Sequence, residues 1–520
     1  MTRPLRRRLV PAGFLALVLL LSGCGADRAV DSITADELRA HLEFIASDEM
    51  MGRDTPSPQL KLAARYLAVQ AASCGFQPLM ESGSYLQEIP LERIAVDPEG
   101  TRLAAGGRTW RHGPDFGGRF AEEGSVSGRL VLVGWGMEAP DQAWDDYDGL
   151  ALEGRVAVIL DAELPEDHTL MAPEYRMARY RRSYAAFEKG AEAVIEVIGP
   201  GLEERMSEEG MRFPVSARTI WPGSGDGPRE GGSGPVIQVR WDTAAGLLGV
   251  PGSVIRSWFE DLARGERVEG RPVARTARLD IALARERDRT QNVVAWLEGS
   301  DPVLKQEYVI LGSHYDHVGA RGGEVYNGAD DDGSGTVAML EIAEAFSIRR
   351  PKRSVVMVWH TGEEKGLRGA RHFVQNSPVP LEKVTAMLQM DMLSRNEPDS
   401  IYAIGSHFLS SELDALLRKS EAGLGVVSVS DRYNDPQMQG NYFRQSDHHA
   451  YHQAGIPTIF FFCGVHEDLH RPTDTVEKCD FDKMARVSRL VYALGRAVGD
   501  HPVLLALDRD PEVTERGLPR

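Results

Sequence analysis

Residues 307–317 read "EYVILGSHYDH", an apolar run of the length of one buried strand that ends abruptly in His314 and Asp316. Four other runs share this texture: "NVVAWLEG" (292–299), "SVVMVWHTGEE" (354–364), "AMLQMDML" (386–393) and "GIPTIFFFCG" (455–464). Each is near-continuously apolar, as strands buried on both faces are. Helical stretches lie between several of them. That alternation predicts an α/β fold, a mixed sheet flanked by helices on both faces. In such sheets the working residues sit at the carboxyl ends of the strands, and the polar residues here do cluster just after the apolar runs.

Those polar ends are His314 and Asp316 in "SHYDH", Asp331 in "ADDDG", Glu363 and Glu364 in "TGEEKG", and Asp391 in "LQMDML". One such residue alone would read as a salt-bridged or capping group. The triple aspartate in "NGADDDGSG" (327–335), just ahead of the helical run "TVAMLEIAEAF", has a capping explanation, because a helix N-terminus welcomes negative charge. Carboxylates gathered at the mouth of one sheet are different, since they repel strongly unless cations neutralise them. These strand ends offer few basic residues, Lys365 and Arg368 being the nearest in sequence. Histidine with carboxylate is a zinc donor set that leaves positions open for chemistry.

The rest of the 520-residue chain narrows the setting. A net charge of −18 argues against a nucleic-acid partner, which would need a basic face. The basic leader "MTRPLRRR" precedes an apolar run ending "LSGC" at 21–24, the layout of a secretory signal. That ending resembles a bacterial lipobox and implies removal of residues 1–23, lipid on Cys24 and a location in the cell envelope, outside the cytoplasm. The other cysteines are Cys74, Cys463 and Cys479, with no C-x-x-C spacing for a zinc site. Cys463 and Cys479 could pair, leaving Cys74 as a buried thiol. "HEDLH" (466–470) matches the helix-borne H-E-x-x-H motif, but Gly464 and Pro472 flank it too closely for a helix. The match is read as accidental, with only His470 used and His466 incidental.

Nearer the N-terminus, "ITADELRAHLEFIASDE" and "QLKLAARYLAVQAASCGF" carry apolar residues at helical spacing, with Gly75 as a stop. From about 121 the texture shifts to short strands, "SGRLVLVGWG", "GRVAVILDAEL" and "AEAVIEVIG", with a helical "YRRSYAAFEKGA" before the third. The Gly-rich "WPGSGDGPREGGSGP" reads as a surface loop. The expected organisation is a discontinuous main domain over 31–120 and 263–505, an insertion over 121–262, and a tail over 506–520.

The motifs "SHYDHVG", "NGADDDGSG", "HTGEEKGLRGA", "LQMDMLS", "SDHHAYHQAGIP" and "LHRPTDT", in this order, resemble the dizinc exopeptidase family of bacterial leucyl aminopeptidases and glutamate carboxypeptidases. "VLVGWG", "DDYDGLALEGRVAVI" and "AAFEKGAEAVI" resemble, more loosely, the protease-associated domain that some members carry as an insertion. The resemblance implies two zinc ions per chain. His314 and Asp391 would bind one, Glu364 and His470 the other, and Asp331 would bridge them. It implies Glu363 as general base and Asp316 as the carboxylate that orients His314, with Asp330 and Asp332 as neighbours bonded to the loop or helix start. A general base beside Lewis-acidic metal would activate water, and can pass its proton to the leaving amine.

The expected activity is release of N-terminal residues from peptides outside the cytoplasm. A carboxypeptidase acting on acidic dipeptides is the alternative, and would want arginines such as Arg395, Arg432 or Arg444 near the metals. A non-catalytic binding protein on the same fold, or glutaminyl cyclisation on a single zinc, would be marked by lost ligands, and all five ligands match.

Overall fold

A computed structural model of the chain describes residues 27–120, 122–200, 218–220, 234–425, 427–434 and 441–509. The leader with Cys24, nearly all of the Gly-rich loop at 221–235, residues 435–440 and the end of the tail from 510 lie outside them. Among the described residues no helix is long and apolar enough to cross a membrane.

The chain forms two compact units, one holding the residues up to Ile89 and from Thr290 onward, the other Pro90–Arg289. In the first, a mixed sheet places its strands in the order Leu283–Leu297, Ser354–His360, Tyr308–His314, Val384–Met390, Thr458–Phe462, Ser400–Ile404 and Ser428–Ser430. Ser354–His360, Tyr308–His314, Val384–Met390 and Thr458–Phe462 are mutually parallel, whereas Leu283–Leu297 and Ser400–Ile404 pair antiparallel on the two flanks. The strand alternation of period two then sorts the core. Val309, Leu311, Met357, Trp359 and Leu388 share a cluster with the helices Ala35–Ile45, Gly335–Ile348 and Phe481–Asp500. Ile310, Val356, Val358 and Met387 face the other way, onto Phe373 and Tyr451 of the helices Arg368–Gln375 and His448–Gln453. Helices thus cover both faces, the α/β architecture that the apolar runs predict.

Local signals place the helices. Thr34 caps Ala35–Ile45, its hydroxyl accepting from the Glu37 N–H at 3.2 Å and donating to the Glu37 carboxylate at 2.8 Å. Pro58–Ser73 starts with proline after a Ser57 cap, and Gly75 at φ +79° ends it. Gly335–Ile348 is apolar nearly all round and correspondingly buried.

The second unit contains an eight-stranded sheet in the order Arg108–Arg111, Arg102–Ala105, Arg271–Ile281, Gly124–Gly134, Arg155–Asp161, Ala191–Ile198, Val236–Arg240 and Phe116–Arg119. The three strands read from the sequence are parallel neighbours within it. Its limits, 90 and 289, differ from the expected 121 and 262. The composition shift at 121 marks only the first of the buried strands. The flanking strands Arg102–Ala105 and Arg271–Ile281 are half-exposed, so their sequences lack the continuous apolar texture. Leu247 and Ile255, from the helices Trp241–Leu248 and Gly252–Ala263, join the core, so the unit is α/β rather than β-rich alone.

Candidate metal centre

Four parallel strands put four carboxyl ends on one edge of the sheet. His314 closes Tyr308–His314, Glu363 and Glu364 follow Ser354–His360, Asp391 follows Val384–Met390, and the segment after Thr458–Phe462 carries His470. The triple aspartate precedes the helix Gly335–Ile348. Gly335 is required there, because a Cβ would meet the Asp332 carboxylate at 2.5 Å and the Met390 carbonyl at 2.6 Å.

The three aspartates face three ways. The Asp330 carboxylate accepts from the Ser394 N–H and hydroxyl, both at 2.7 Å, and from the Cys463 thiol at 3.2 Å. His466 Nε2 also stands 3.2 Å from Asp330, so this histidine is buried against a carboxylate and is not the incidental residue expected from sequence. Asp332 accepts backbone N–H groups of His314 (3.1 Å), Gly335 (2.9 Å) and Met392 (3.1 Å), tying two strand ends to the helix start. The capping explanation therefore holds for Asp332, which bonds the helix start, and does not extend to the whole run. Asp332→Asn should destabilise the protein by about 3 kcal/mol, since an amide NH2 would oppose buried N–H donors. Urea unfolding of the metal-free protein measures it, and an unchanged midpoint would contradict this account.

Asp331 is left facing outward from the sheet edge, with each carboxylate oxygen turned to a different histidine. Oδ1 lies 3.5 Å from His314 Nε2, which is also 3.5 Å from Asp391 Oδ1 and 3.9 Å from Glu363 Oε2. Oδ2 lies 3.1 Å from His470 Nε2, which is equally 3.1 Å from Glu364 Oε2. The structure thus gathers His314, Asp331, Glu363, Glu364, Asp391 and His470 into one site. Residues 466–470 form turns rather than a helix, and His470 has φ +55°. Asp316 is fully buried behind His314. Its backbone carbonyl is 3.2 Å from His314 Nδ1, while its carboxylate stands off at 3.8 Å and accepts the Glu363 N–H at 3.2 Å. Asp316 therefore positions the Glu363 backbone as well as the His314 ring.

These residues suit a multivalent cation. His314 Nε2 is buried among three carboxylates and has no hydrogen-bond partner among the described residues. Burial, reinforced by neighbouring negative charge, pushes the carboxyls of Asp332, Glu363 and Asp391 upward and Asp316 up to about 7. Asp391 and Glu363 outweigh burial and hold the His314 imidazole well above its ordinary range, while Asp331 and Glu364 push His470 up to about 10. A cation held by His470 must displace the proton on its imidazole, so affinity should fall as pH is lowered below about 10. Zinc added to metal-free protein near neutral pH should release protons, which a weakly buffered titration would detect; silent binding would overturn this.

Several supporting residues carry no readable signal in the sequence. Arg53 is completely buried, and its guanidinium donates to the carbonyls of Ile45 (2.7 Å), Tyr315 (2.9 Å), Asn327 (2.7 Å) and Gly328 (2.9 Å). It binds the segments carrying His314 and Asp331 together through carbonyls, with Asp316, Asp331, Asp332 and Asp474 near enough to favour its charge. The Asp474 carboxylate accepts the N–H groups of Asp330 and Asp331 at 3.1–3.2 Å. The Ser446 hydroxyl donates to Asp391 Oδ2 at 2.7 Å. Asp474 and Ser446 lie inside the quoted motifs "LHRPTDT" and "SDHHAYHQAGIP", but only the fold shows what they touch. Of the cysteines, Cys463 and Cys479 are buried free thiols, and Cys74 is a half-buried one rather than fully buried.

Parallel strand ends converging on two histidine–carboxylate groups that share one aspartate define an α/β protein with a candidate two-metal centre. Residues 292–495 match the profile of Peptidase family M28. A probable leucine aminopeptidase of Trichophyton verrucosum (strain HKI 0517) is 29% identical over 202 residues, covering 36% of this chain and 54% of that protein. The chain thus spans about half the length of the curated relatives it matches. The aminopeptidase from Aneurinibacillus sp. strain AM-1 superposes over 93% of this chain and 98% of its own, with TM-score 0.50 and 20% identity. BSAP, a zinc aminopeptidase from Bacillus subtilis, does so over 92% and 99%, with TM-score 0.51 and 17% identity. At such identities these two likenesses are ones of fold.

Proposed function

We propose that the protein is a two-zinc aminopeptidase that releases N-terminal residues from peptides outside the cytoplasm, tethered to the cell envelope through lipid on Cys24. The observation that carries the reading is Asp331, whose two oxygens face two separate histidine–carboxylate groups, as a bridging ligand's would. His314 and Asp391 would hold one ion, Glu364 and His470 the other. Bound zinc would supply the Lewis acidity that makes water nucleophilic near neutral pH and polarises the scissile carbonyl. Glu363 is held for proton transfer: burial with Asp391 and Asp447 nearby raises its carboxyl well above the usual range. It can take a proton from the attacking water and hand it to the leaving amine. Arg395, one of the arginines the carboxypeptidase alternative would use, is already engaged by Asp468 at 2.6 Å and faces Asp474 at 3.6 Å.

The test is metal analysis of the purified protein together with a panel of aminoacyl-nitroanilides and acidic dipeptides, with and without chelator. Two zincs per chain and chelator-sensitive cleavage of nitroanilides are expected. Turnover of acidic dipeptides alone would move the reading to a carboxypeptidase, and no turnover of either to a binding protein. Cys24→Ala should shift the protein from the membrane to the soluble fraction, and retention on the membrane would remove the lipid anchor from the proposal.

A further inference from the structure

His317 lies three residues beyond His314, and no role for it follows from the motifs. Its imidazole is fully buried, and neither ring nitrogen has a hydrogen-bond partner among the described residues. An imidazole is rarely buried with nothing to bond. Nδ1 stands 2.8 Å from Glu364 Oε1 and 3.7 Å from Asp331 Oδ2, the same two carboxylates that His470 Nε2 approaches at 3.1 Å each. The ring centroids of His317 and His470 are 5.6 Å apart.

The spacing has a simple source. Zinc bonds nitrogen and oxygen at about 2.0–2.2 Å, which places neighbouring donors of a tetrahedral site roughly 3.3 Å apart. The 2.8 and 3.7 Å separations of His317 Nδ1 from Glu364 Oε1 and Asp331 Oδ2 bracket that value, and His470 Nε2 approaches Glu364 through its other oxygen, Oε2, at 3.1 Å. In the metal-free chain the 2.8 Å approach of Nδ1 to Glu364 Oε1 is an ion pair, and a cation between them would replace it. The ring is also held in place. Gly328, at φ +58°, lies directly against it, and a Cβ there would stand 2.4 Å from the His317 Cγ. The His317 N–H donates to the Arg53 carbonyl at 3.3 Å.

We propose that His317, through Nδ1, is a fourth protein ligand of the metal position formed by Asp331, Glu364 and His470. The inference rests on the two-metal reading and makes the two positions unequal. One has four protein donors, the closed set typical of a retained ion; the other has His314, Asp331 and Asp391, an open set beside Glu363. The tighter position then depends on a buried imidazole as well as on His470, whose side chain is 51% exposed.

The experiment adds zinc or cobalt(II) back to metal-free full chain in competition with a chelator, for wild type and His317→Phe. Phenylalanine keeps a ring over Gly328 and removes the donor atom; His317→Leu serves as a second variant, with metal-free melting temperature as the control for folding. Wild type should bind two ions of unequal affinity. Both variants should weaken the tighter class at least about tenfold and change the visible spectrum of cobalt in that position. Unchanged affinities and spectrum in both variants would overturn the assignment. If wild type binds only one ion, the two-metal reading fails by itself. The His317 assignment then stands or falls on whether that ion is weakened in the variants.

Discussion

Asp331→Asn should lose at least one metal ion per chain, and the activity with it. The carboxylate presents Oδ1 to the His314 group and Oδ2 to the His470 group, and an amide supplies one neutral oxygen in place of two that share a negative charge. Two dications a few ångströms apart repel strongly, and a bridging anion is what offsets the repulsion. Zinc counting on Asp330→Asn and Asp332→Asn gives the contrast. Those residues bond to Ser394, Cys463 and the backbone of His314, Gly335 and Met392, so their loss should appear as lowered stability with metal bound. If Asp331→Asn keeps two ions, the bridging assignment is wrong.

Glu363→Gln should lower kcat by at least about a hundredfold while metal content stays at the wild-type level. The side chain is isosteric, and its Oε2 is 3.9 Å from His314 Nε2, the most distant of the three carboxylates around that nitrogen. What changes is the capacity to carry a proton. Its backbone N–H is held by Asp316, so the loop geometry should survive the substitution. Steady-state kinetics with zinc analysis of the same sample separates the roles. Near-normal turnover with full metal would remove Glu363 as the base, and lost metal would make it a ligand.

The sequence by itself determined the sheet and the identity of the residues at its working edge. Near-continuous apolar runs such as "EYVILGSH" can be satisfied only by burial on both faces, and a charged residue directly after such a run has nowhere to go but the strand end. His314, Glu363, Glu364 and Asp391 were legible for that reason, while the strand Leu86–Val96, which alternates buried and exposed positions, was not singled out. The second unit extends beyond the composition shift at 121 for a related reason, because half-exposed strands leave no composition boundary. Only the tertiary structure decided how the three aspartates divide their work. Adjacent residues of one type are chemically identical in sequence, and what separates Asp330, Asp331 and Asp332 is which partners from distant segments reach each carboxylate. Arg53, Asp474 and His317 belong to the same category. Each acts on groups tens to hundreds of positions away along the chain or stands where a glycine makes room, and neither relation exists until the strands are paired.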